Sequence, residues 1–347
     1  IDGRPTYLTP TDLYNYLKST PSTSIDQIEL MTNPPAKFDA SGNAGVINIK
    51  TKKNKTMGFN GTYNGSIGKG EYYRNNNSLN LNYRKNKLNV FTNLGHSNWE
   101  GFNDLNISRK YFDGNNKLQA IFDQNSYSKN ENNNYLNGKL GFDYAMSNKT
   151  NIGAVFNGFN NPDKTKNSNI SFLKNSFNIV DSIVKSVNDM SDTWKNISSN
   201  FYIQHKFDSL GKEISIDIDA SKFNSNGYSN LDNQMYNADN SFRSKNILIG
   251  RFPIDIKILS IKSDYTHPLK NKAKLELGAK SSYVETSNEA NFFNLFNTIE
   301  IPDYKKTNSF NYQENINAGY INYSKEVNKW VFFVREQWHI KICVQIF

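Results

Sequence analysis

Apolar and polar residues alternate with a period of two along the chain from Met57 onward. The clearest case is a run in which Ile214, Ile216 and Ile218 alternate with Asp217 and Asp219. Successive side chains of a β-strand point to opposite faces, so this pattern indicates strands with one apolar and one polar face. The same alternation recurs at residues 59–67, 79–84 and 275–280. We therefore predict that residues 54–347 form an antiparallel sheet.

A transmembrane β-barrel uses such strands with the apolar face toward lipid and the polar face toward the lumen. We predict that Ile216 and Ile218 face lipid and that Asp217 and Asp219 face the lumen. A carboxylate on the lipid face is costly, so the alternation defines the register of this strand. A soluble all-β protein with tyrosine-rich sheets is the alternative that this pattern leaves open.

Turn-forming residues divide the sheet region into about twelve predicted strands. Short hairpin turns are expected at residues 84–87, 147–149 and 271–272, and longer polar connections at 98–104, 160–168 and 291–308. Short turns on one rim and longer loops on the other are typical of outer-membrane barrels. Apolar residues at helical spacing between Asn175 and Asp192 predict either a loop helix or a strand.

Residues 1–53 lack the long period-two pattern and are predicted to form a small α+β unit. A helix is predicted from Thr9 through Leu17, ended by Pro21, and strands are predicted at Gln27–Thr32 and Val46–Thr51. Gly42-Asn43 supplies a turn that tolerates positive φ. One helix and two strands cannot bury a core alone, so this unit needs a surrounding wall.

Composition supports ordered strands rather than disorder. Apolar residues are only 37% of the chain, but aromatic residues reach 14%, which disordered chains lack. The net charge of +9 is spread along strands and turns instead of clustering, so nucleic-acid binding is not expected. The single cysteine, Cys343, excludes a disulfide framework.

The sequence offers no recognisable catalytic or metal-binding constellation. The four histidines lie far apart without a second ligand at metal-site spacing, and no nucleophile elbow or phosphate-binding loop is present. Asp217 and Asp219 share a strand face, but a lumenal wall accounts for them as well as acid–base chemistry does. We expect a protein that is not an enzyme and that has no cofactor.

The segment Leu17–Lys53 contains an ordered set of positions that includes Asn33, Pro34, Asp39, Gly42, Asn43, Gly45 and Asn48. On these positions the segment resembles the C-terminal half of the plug domain of TonB-dependent outer-membrane receptors. The likeness is greatest to the branch called the outer membrane beta-barrel family. A second likeness runs from Asp264 through Glu289 and fades after Phe333.

This resemblance implies a plug remnant at residues 1–53 and the first part of a barrel at 54–347. Barrels of the resembled family have about 22 strands, so the sequence would carry roughly half of one. No signal peptide precedes the plug-like segment, and we therefore expect a fragment whose leader lies upstream.

The resemblance also implies a function, namely energised uptake of a bulky ligand such as a siderophore, a cofactor, a glycan or a peptide. The implied partners are outer-membrane lipid and the inner-membrane TonB complex, reached through a segment that precedes this sequence. A surface lipoprotein is a further candidate partner. A non-transporting structural or adhesin barrel and a soluble all-β carbohydrate-binding protein are the alternatives.

Overall fold

The computed structural model describes residues 25–32, 45–51 and 57–325, the backbone of 326–327 and 330–346, and the helical residues Leu13 and Leu17. Both leucines lie where the first helix was predicted, whereas Thr9, Pro10, Asp12 and Pro21 lie outside the described residues. Within the described ranges, no helix has the length and apolar character needed to cross a bilayer.

The described strands form two antiparallel sheets. The small sheet pairs β1 (Ile25–Met31) with β2 (Val46–Thr51), which confirms both strands predicted in the N-terminal unit. The large sheet contains β3 (Gly58–Lys69), β4 (Tyr73–Lys85), β5 (Leu88–Phe112), β6 (Leu118–Ala145), β7 (Thr150–Asn175), β8 (Val180–Lys206), β9 (Glu213–Asn237), β10 (Phe242–Pro268), β11 (Ala273–Phe296), β12 (Ile299–Pro302), β13 (Asn308–Val327) and β14 (Trp330–Ile346).

Strand order in the large sheet follows chain order, from β3 at one edge to β14 at the other, and β12 pairs beside this path with β11. The sheet is not closed within the described part of the chain. Eleven strands lie along the path and every neighbouring pair is antiparallel, so the two edge strands run in the same direction. An all-antiparallel barrel has an even number of strands, so these two edges cannot pair with each other in the antiparallel sense.

The strands are much longer than a bilayer requires. β5 to β11 have between 24 and 28 residues, against about 9–11 for a tilted spanning strand. Two predicted long connections are therefore wrong, because residues 98–104 lie inside β5 and residues 160–168 lie inside β7. The third, 291–308, is partly right: β11 and β12 occupy most of it, a two-residue turn at 297–298 joins them, and residues 303–307 form a longer connection to β13.

The predicted loop helix after Asn175 is also wrong, and the strand alternative is confirmed. Asn175 ends β7, a short turn follows, and β8 begins at Val180. Val184 pairs with Ser171 of β7 and Val187 with Ser168 of β7, and both also pair with β9. Their helical spacing is therefore coincidental.

All three predicted short turns are confirmed at one rim of the sheet. β4 and β5 are joined by residues 86–87, β6 and β7 by 146–149, and β10 and β11 by 269–272. Asn86, Asn271 and Lys272 adopt positive φ there. The opposite rim has short tips as well, so the expected contrast between short turns and long loops is not seen among the described connections.

Three tips of that opposite rim share one construction. Asp113, Asn175 and Asn237 each donate a backbone N–H to the carbonyl four residues later, at 2.9 Å in every case. The residue three positions later is always an asparagine in the left-handed region, with φ of 62° at Asn116, 60° at Asn178 and 64° at Asn240. Asparagine tolerates this conformation because its short amide can hydrogen-bond locally.

This construction predicts the effect of changing Asn178. Asn178→Val should destabilise the folded protein by about 1–2 kcal/mol, because a β-branched residue is strained at positive φ, while Asn178→Gly should be close to neutral. Chemical unfolding of the full-length protein in detergent micelles measures both. Ser176→Val at the same tip, where φ is not positive, is the control, and an equal cost at 176 and 178 would contradict the turn assignment.

Candidate functional site: the lumenal wall and the small sheet

The strand register separates apolar from polar residues as the sequence predicted. Ile216 pairs with Ile203 of β8, and Ile218 pairs with Phe201 of β8 and Ile261 of β10. Their neighbours Asp217 and Asp219 lie on the opposite face. Directly paired residues share a face, so one side of the sheet near β9 is aliphatic and the other is acidic and amide-rich.

The apolar face has a limited height. It runs upward from the rim of turns 86–87 and 269–272 and ends on β9 and β10 at Lys222 and Lys257, about ten residues above that rim. Above this level the same face carries ion pairs, including Lys222 with Asp255 at 3.3 Å and Lys257 with Glu285 at 3.3 Å. An apolar belt of this height matches the hydrocarbon core of a bilayer.

The polar face below that level is tied together by hydrogen bonds between strands. Asn82 donates its amide to Asn89 at 3.1 Å, and Asn89 donates to Asp143 at 3.2 Å. The Tyr202 hydroxyl also donates to Asp143, from two strands away. Gly153 lies between them on β7, where a Cβ atom would come within 2.5 Å of the Tyr202 ring. Glycine is therefore required for this bond to cross β7.

The same arrangement recurs farther along the sheet. Tyr320 on β13 donates its hydroxyl to Asp264 on β10 at 2.6 Å, and the bond crosses β11 at Gly278. A Cβ atom at Gly278 would collide with the Tyr320 ring and lie 2.8 Å from Asp264 Oδ1. Lys262 adds an ion pair to Asp264 at 2.9 Å. We call each set an Asp–Gly–Tyr crossing; each spans three adjacent strands on the polar face.

These crossings are absent from the sequence predictions. Both aspartates begin an Asp-Tyr dipeptide near the end of a strand, and a glycine follows on the next strand. The acceptor and donor residues are 59 and 56 positions apart, so only the register shows that they meet. The recurring Asp-Tyr dipeptide is the local signal available for both crossings, and at Asp264 it begins the second family-like stretch.

The small sheet is amphipathic. On one face, the Glu29 carboxylate accepts a hydrogen bond from the buried Asn48 amide at 2.7 Å. It also forms an ion pair with Lys50 at 2.5 Å. The hydrogen bond from Lys50, followed by that from Asn48, lowers the pKa of Glu29 below its usual value. On the other face, Ile28, Leu30 and Ile47 expose most of their surface. An apolar face of this kind requires cover from elsewhere.

Gly45 enters the small sheet at the start of β2 with φ of 91°. A Cβ atom there would lie 2.5 Å from the Met31 carbonyl oxygen, so the backbone of β1 passes too close for any side chain. Of the plug-like positions, Gly45 and Asn48 are thus brought into this sheet. Asn33, Pro34, Asp39, Gly42 and Asn43 lie outside the described residues.

The titratable residues of the described ranges do not assemble into a metal site. No group of three or more His, Cys, Asp or Glu side chains is close enough there to bind an ion. His205 Nδ1 lies 2.8 Å from the Thr150 hydroxyl, and His267 Nδ1 lies 3.0 Å from the Tyr265 hydroxyl. Asp219 accepts from the Asn200 amide at 2.8 Å. These are contacts within the wall of the sheet.

An antiparallel sheet with an apolar belt on one face and hydrogen-bonded polar residues on the other is the wall of a membrane β-barrel. Residues 205–334 match the Outer membrane protein beta-barrel family, which covers β9 to β13 and the second Asp–Gly–Tyr crossing. No curated protein matches the chain significantly. The protein is a β-barrel protein of the bacterial outer membrane, and the soluble alternative is set aside.

Proposed function

We propose that this protein acts as a TonB-dependent-receptor-like transporter for energised uptake of a bulky ligand: a siderophore, a cofactor, a glycan or a peptide. The observation that supports this function is the small sheet of β1 and β2, which precedes a wide polar-lined wall in the chain. Its uncovered face of Ile28, Leu30 and Ile47 requires an apolar or enclosing partner.

The width of the wall is consistent with a plugged lumen. Barrels of about eight strands fill their interior with side chains, those of about 16–18 leave a channel, and those of about 22 hold a plug. The described path has eleven strands, more than a barrel whose interior is filled by side chains. We propose that the small sheet belongs to a plug inside this lumen and that the inner-membrane TonB complex moves it.

The plug assignment predicts the behaviour of Gly45→Val. A side chain at this position should displace β2 from Met31 and strain the backbone by about 1–3 kcal/mol, which loosens the small sheet. In cells that make the full-length protein, we expect normal outer-membrane fractionation and increased entry of a hydrophilic dye too large for general porins. The barrel strands satisfy their own backbone hydrogen bonds, so membrane insertion should persist.

Gly58→Val is the matched control for this experiment. Gly58 also has positive φ, at 94°, but no atom of the described residues lies within 4 Å of its added Cβ atom, and it is outside the small sheet. Dye entry that stays at the wild-type level in Gly45→Val cells, or that rises equally in Gly58→Val cells, would contradict the plug assignment.

Transport itself is tested separately. Cells with and without the gene are compared for uptake of labelled ferric siderophores, cobalamin, oligosaccharides and peptides, before and after collapse of the proton gradient. Gene-dependent uptake that stops when the gradient collapses supports the transporter. Absence of gene-dependent uptake across all these classes would favour a non-transporting structural or adhesin barrel.

A further inference from the structure

The two rims of the large sheet differ in charge. At the rim where the apolar belt begins, the described turns contain five lysines and one acidic residue; these turns are residues 86–87, 146–149, 207–212 and 269–272. At the opposite rim, the described connections contain three lysines and four acidic residues; these connections are residues 70–72, 113–117, 176–179, 238–241, 297–298 and 303–307. Lysines that are far apart in the sequence are therefore gathered at one rim, which we call the basic rim.

Two lysines of the basic rim are fixed by bonds that run from one turn to the next. The Lys87 ammonium donates to the Met146 carbonyl at 3.1 Å, and the Lys149 ammonium donates to the Phe207 carbonyl at 3.0 Å. An ammonium group has three N–H donors, so two donors on each lysine are left for an acceptor outside the turns. Both lysines are exposed, and the rim therefore presents cations at defined positions to its surroundings.

The one acidic residue in these turns cannot balance the lysines. Asp208 accepts the backbone N–H groups of Leu210 at 2.9 Å and of Lys212 at 3.1 Å, so its carboxylate is engaged within its own turn. Lys85 and Lys206, the strand residues that precede two of the turns, add two more cations. Neighbouring turns are two strands apart, roughly 10 Å, which is close to the Debye length at physiological ionic strength. Their like charges repel and favour a bound anion.

Apolar side chains lie beside the lysines in the same turns. Met146 exposes 52% of its surface and Leu210 exposes 80%. The Phe207 ring lies 4.8 Å from the His205 ring and 6.3 Å from the Tyr265 ring, and both neighbours lie on the apolar face of the sheet. In water these side chains would stay uncovered, whereas at the boundary of a bilayer they contact hydrocarbon. Aromatic residues combined with lysine are typical of the membrane interface.

The apolar belt identifies what surrounds the basic rim. The belt begins at these turns and corresponds to the hydrocarbon core, so the polar headgroups of one leaflet lie level with the turns. Phospholipid headgroups carry their phosphate anions at this depth. The tips of the opposite rim stand well above the belt, because β5 to β11 have 24 to 28 residues, and they show no excess of lysine. The charge is concentrated where lipid phosphates are.

We propose that the basic rim binds the phosphate groups of anionic phospholipid headgroups in the adjoining leaflet, with Lys87, Lys149 and Lys270 as its principal contacts. The apolar residues of the turns lie among the acyl chains, and the lysine side chains extend outward to the phosphates. This contact fixes the depth of the barrel in the membrane. It concerns the lipid-facing side of the protein, so it does not depend on the proposed transport function.

Headgroup preference is tested with spin-labelled lipids. The full-length protein is reconstituted in phosphatidylcholine vesicles, and electron paramagnetic resonance compares the association of spin-labelled phosphatidylglycerol and phosphatidylcholine with the barrel. We expect at least a twofold preference for phosphatidylglycerol at low salt, which decreases at high salt because the contact is electrostatic. Equal association of both lipids at low salt would overturn the proposal. Glycerol phosphate at matched ionic strength should leave the preference unchanged; if it removes the preference, the rim binds free phosphate and not lipid.

The location is tested with two variants that each remove three positive charges. The rim variant replaces three lysines of the basic rim: Lys87→Gln, Lys149→Gln and Lys270→Gln. The control variant replaces three lysines of the opposite rim: Lys117→Gln, Lys305→Gln and Lys306→Gln. We expect the rim variant to lose the preference for phosphatidylglycerol and the control variant to keep it. A preference that persists in the rim variant, or that falls equally in both, would contradict the proposal.

Cross-linking in the unaltered protein gives the same information if the rim variant fails to fold. The probe is phosphatidylglycerol with a photoreactive group on its headgroup, added to the reconstituted full-length protein. Cross-links concentrated within residues 85–87, 146–149, 206–212 and 269–272 support the basic rim as the binding surface. Cross-links confined to the opposite rim, or spread evenly over both rims, would refute it.

Discussion

Ile216→Lys is expected to destabilise the full-length protein in a lipid bilayer by about 2–4 kcal/mol, the cost of a lysine at mid-membrane on the lipid face of a barrel. Ile216 pairs with Ile203 and Ser263 on the apolar face, four strand residues above the rim turns at 207–212. The lysine ammonium group would be transferred from water into hydrocarbon. Its side chain is too short to bring the charge fully back to the membrane interface.

Ser215→Lys is the matched control, because Ser215 is the preceding residue and lies on the polar face beside Asp264. We expect a cost below about 1 kcal/mol there, since the lysine remains hydrated and meets a carboxylate. Urea titration of the folded fraction in lipid vesicles, read as heat-resistant mobility on gels, measures both variants. Similar losses at residues 215 and 216 would show that β9 does not have one lipid face and one lumenal face.

The period-two pattern predicted this part of the fold because burial in lipid imposes it. On β9, every second residue from Ile214 to Ala220 is apolar, and the intervening residues are Ser215, Asp217 and Asp219. The strands β1 and β2 were also predictable, since prolines and glycines bound them closely.

The pattern fails above the apolar belt, where both faces of a strand are polar. Residues 160–168, NNPDKTKNS, read as a loop because no position in them is selected by hydrocarbon. In the structure they pair along their length with β8 and continue β7. Above the belt both faces of a strand contact water, so apolar and polar residues no longer alternate although the backbone hydrogen bonds continue. A prediction from alternation therefore gives loops where the strands in fact extend.

The hairpin tips carried a signal that was overlooked. Each of the three related tips reads Asp or Asn, two further residues, and then Asn in the left-handed region: DGNN, NSFN and NADN. At these sites the turn geometry favours asparagine, because its side chain tolerates the left-handed region. The Asp–Gly–Tyr crossings, by contrast, depend on pairings between distant strands, which no local pattern reports.

Gly278→Val tests whether such a crossing stabilises the wall. The side chain would enter the space now occupied by the Tyr320 ring and approach Asp264 Oδ1, so the hydroxyl could no longer reach the carboxylate. We expect a loss of about 1–3 kcal/mol from overpacking, with about 1 kcal/mol more from the broken hydrogen bond. Unfolding of the full-length protein in lipid vesicles measures it.

Two further variants separate the parts of this effect. Tyr320→Phe removes only the hydroxyl and should cost about 1 kcal/mol, while Gly138→Val should cost little, because its added Cβ atom meets nothing nearer than Leu94 at 3.6 Å. If Gly278→Val and Gly138→Val destabilised the protein equally little, the Tyr320 hydroxyl would still reach Asp264 with a side chain at residue 278. Glycine would then not be required for the crossing. Gly278→Val should destabilise the protein more than Tyr320→Phe does. In that case the space left by the missing side chain at residue 278 contributes more than the hydrogen bond to the packing of β10, β11 and β13.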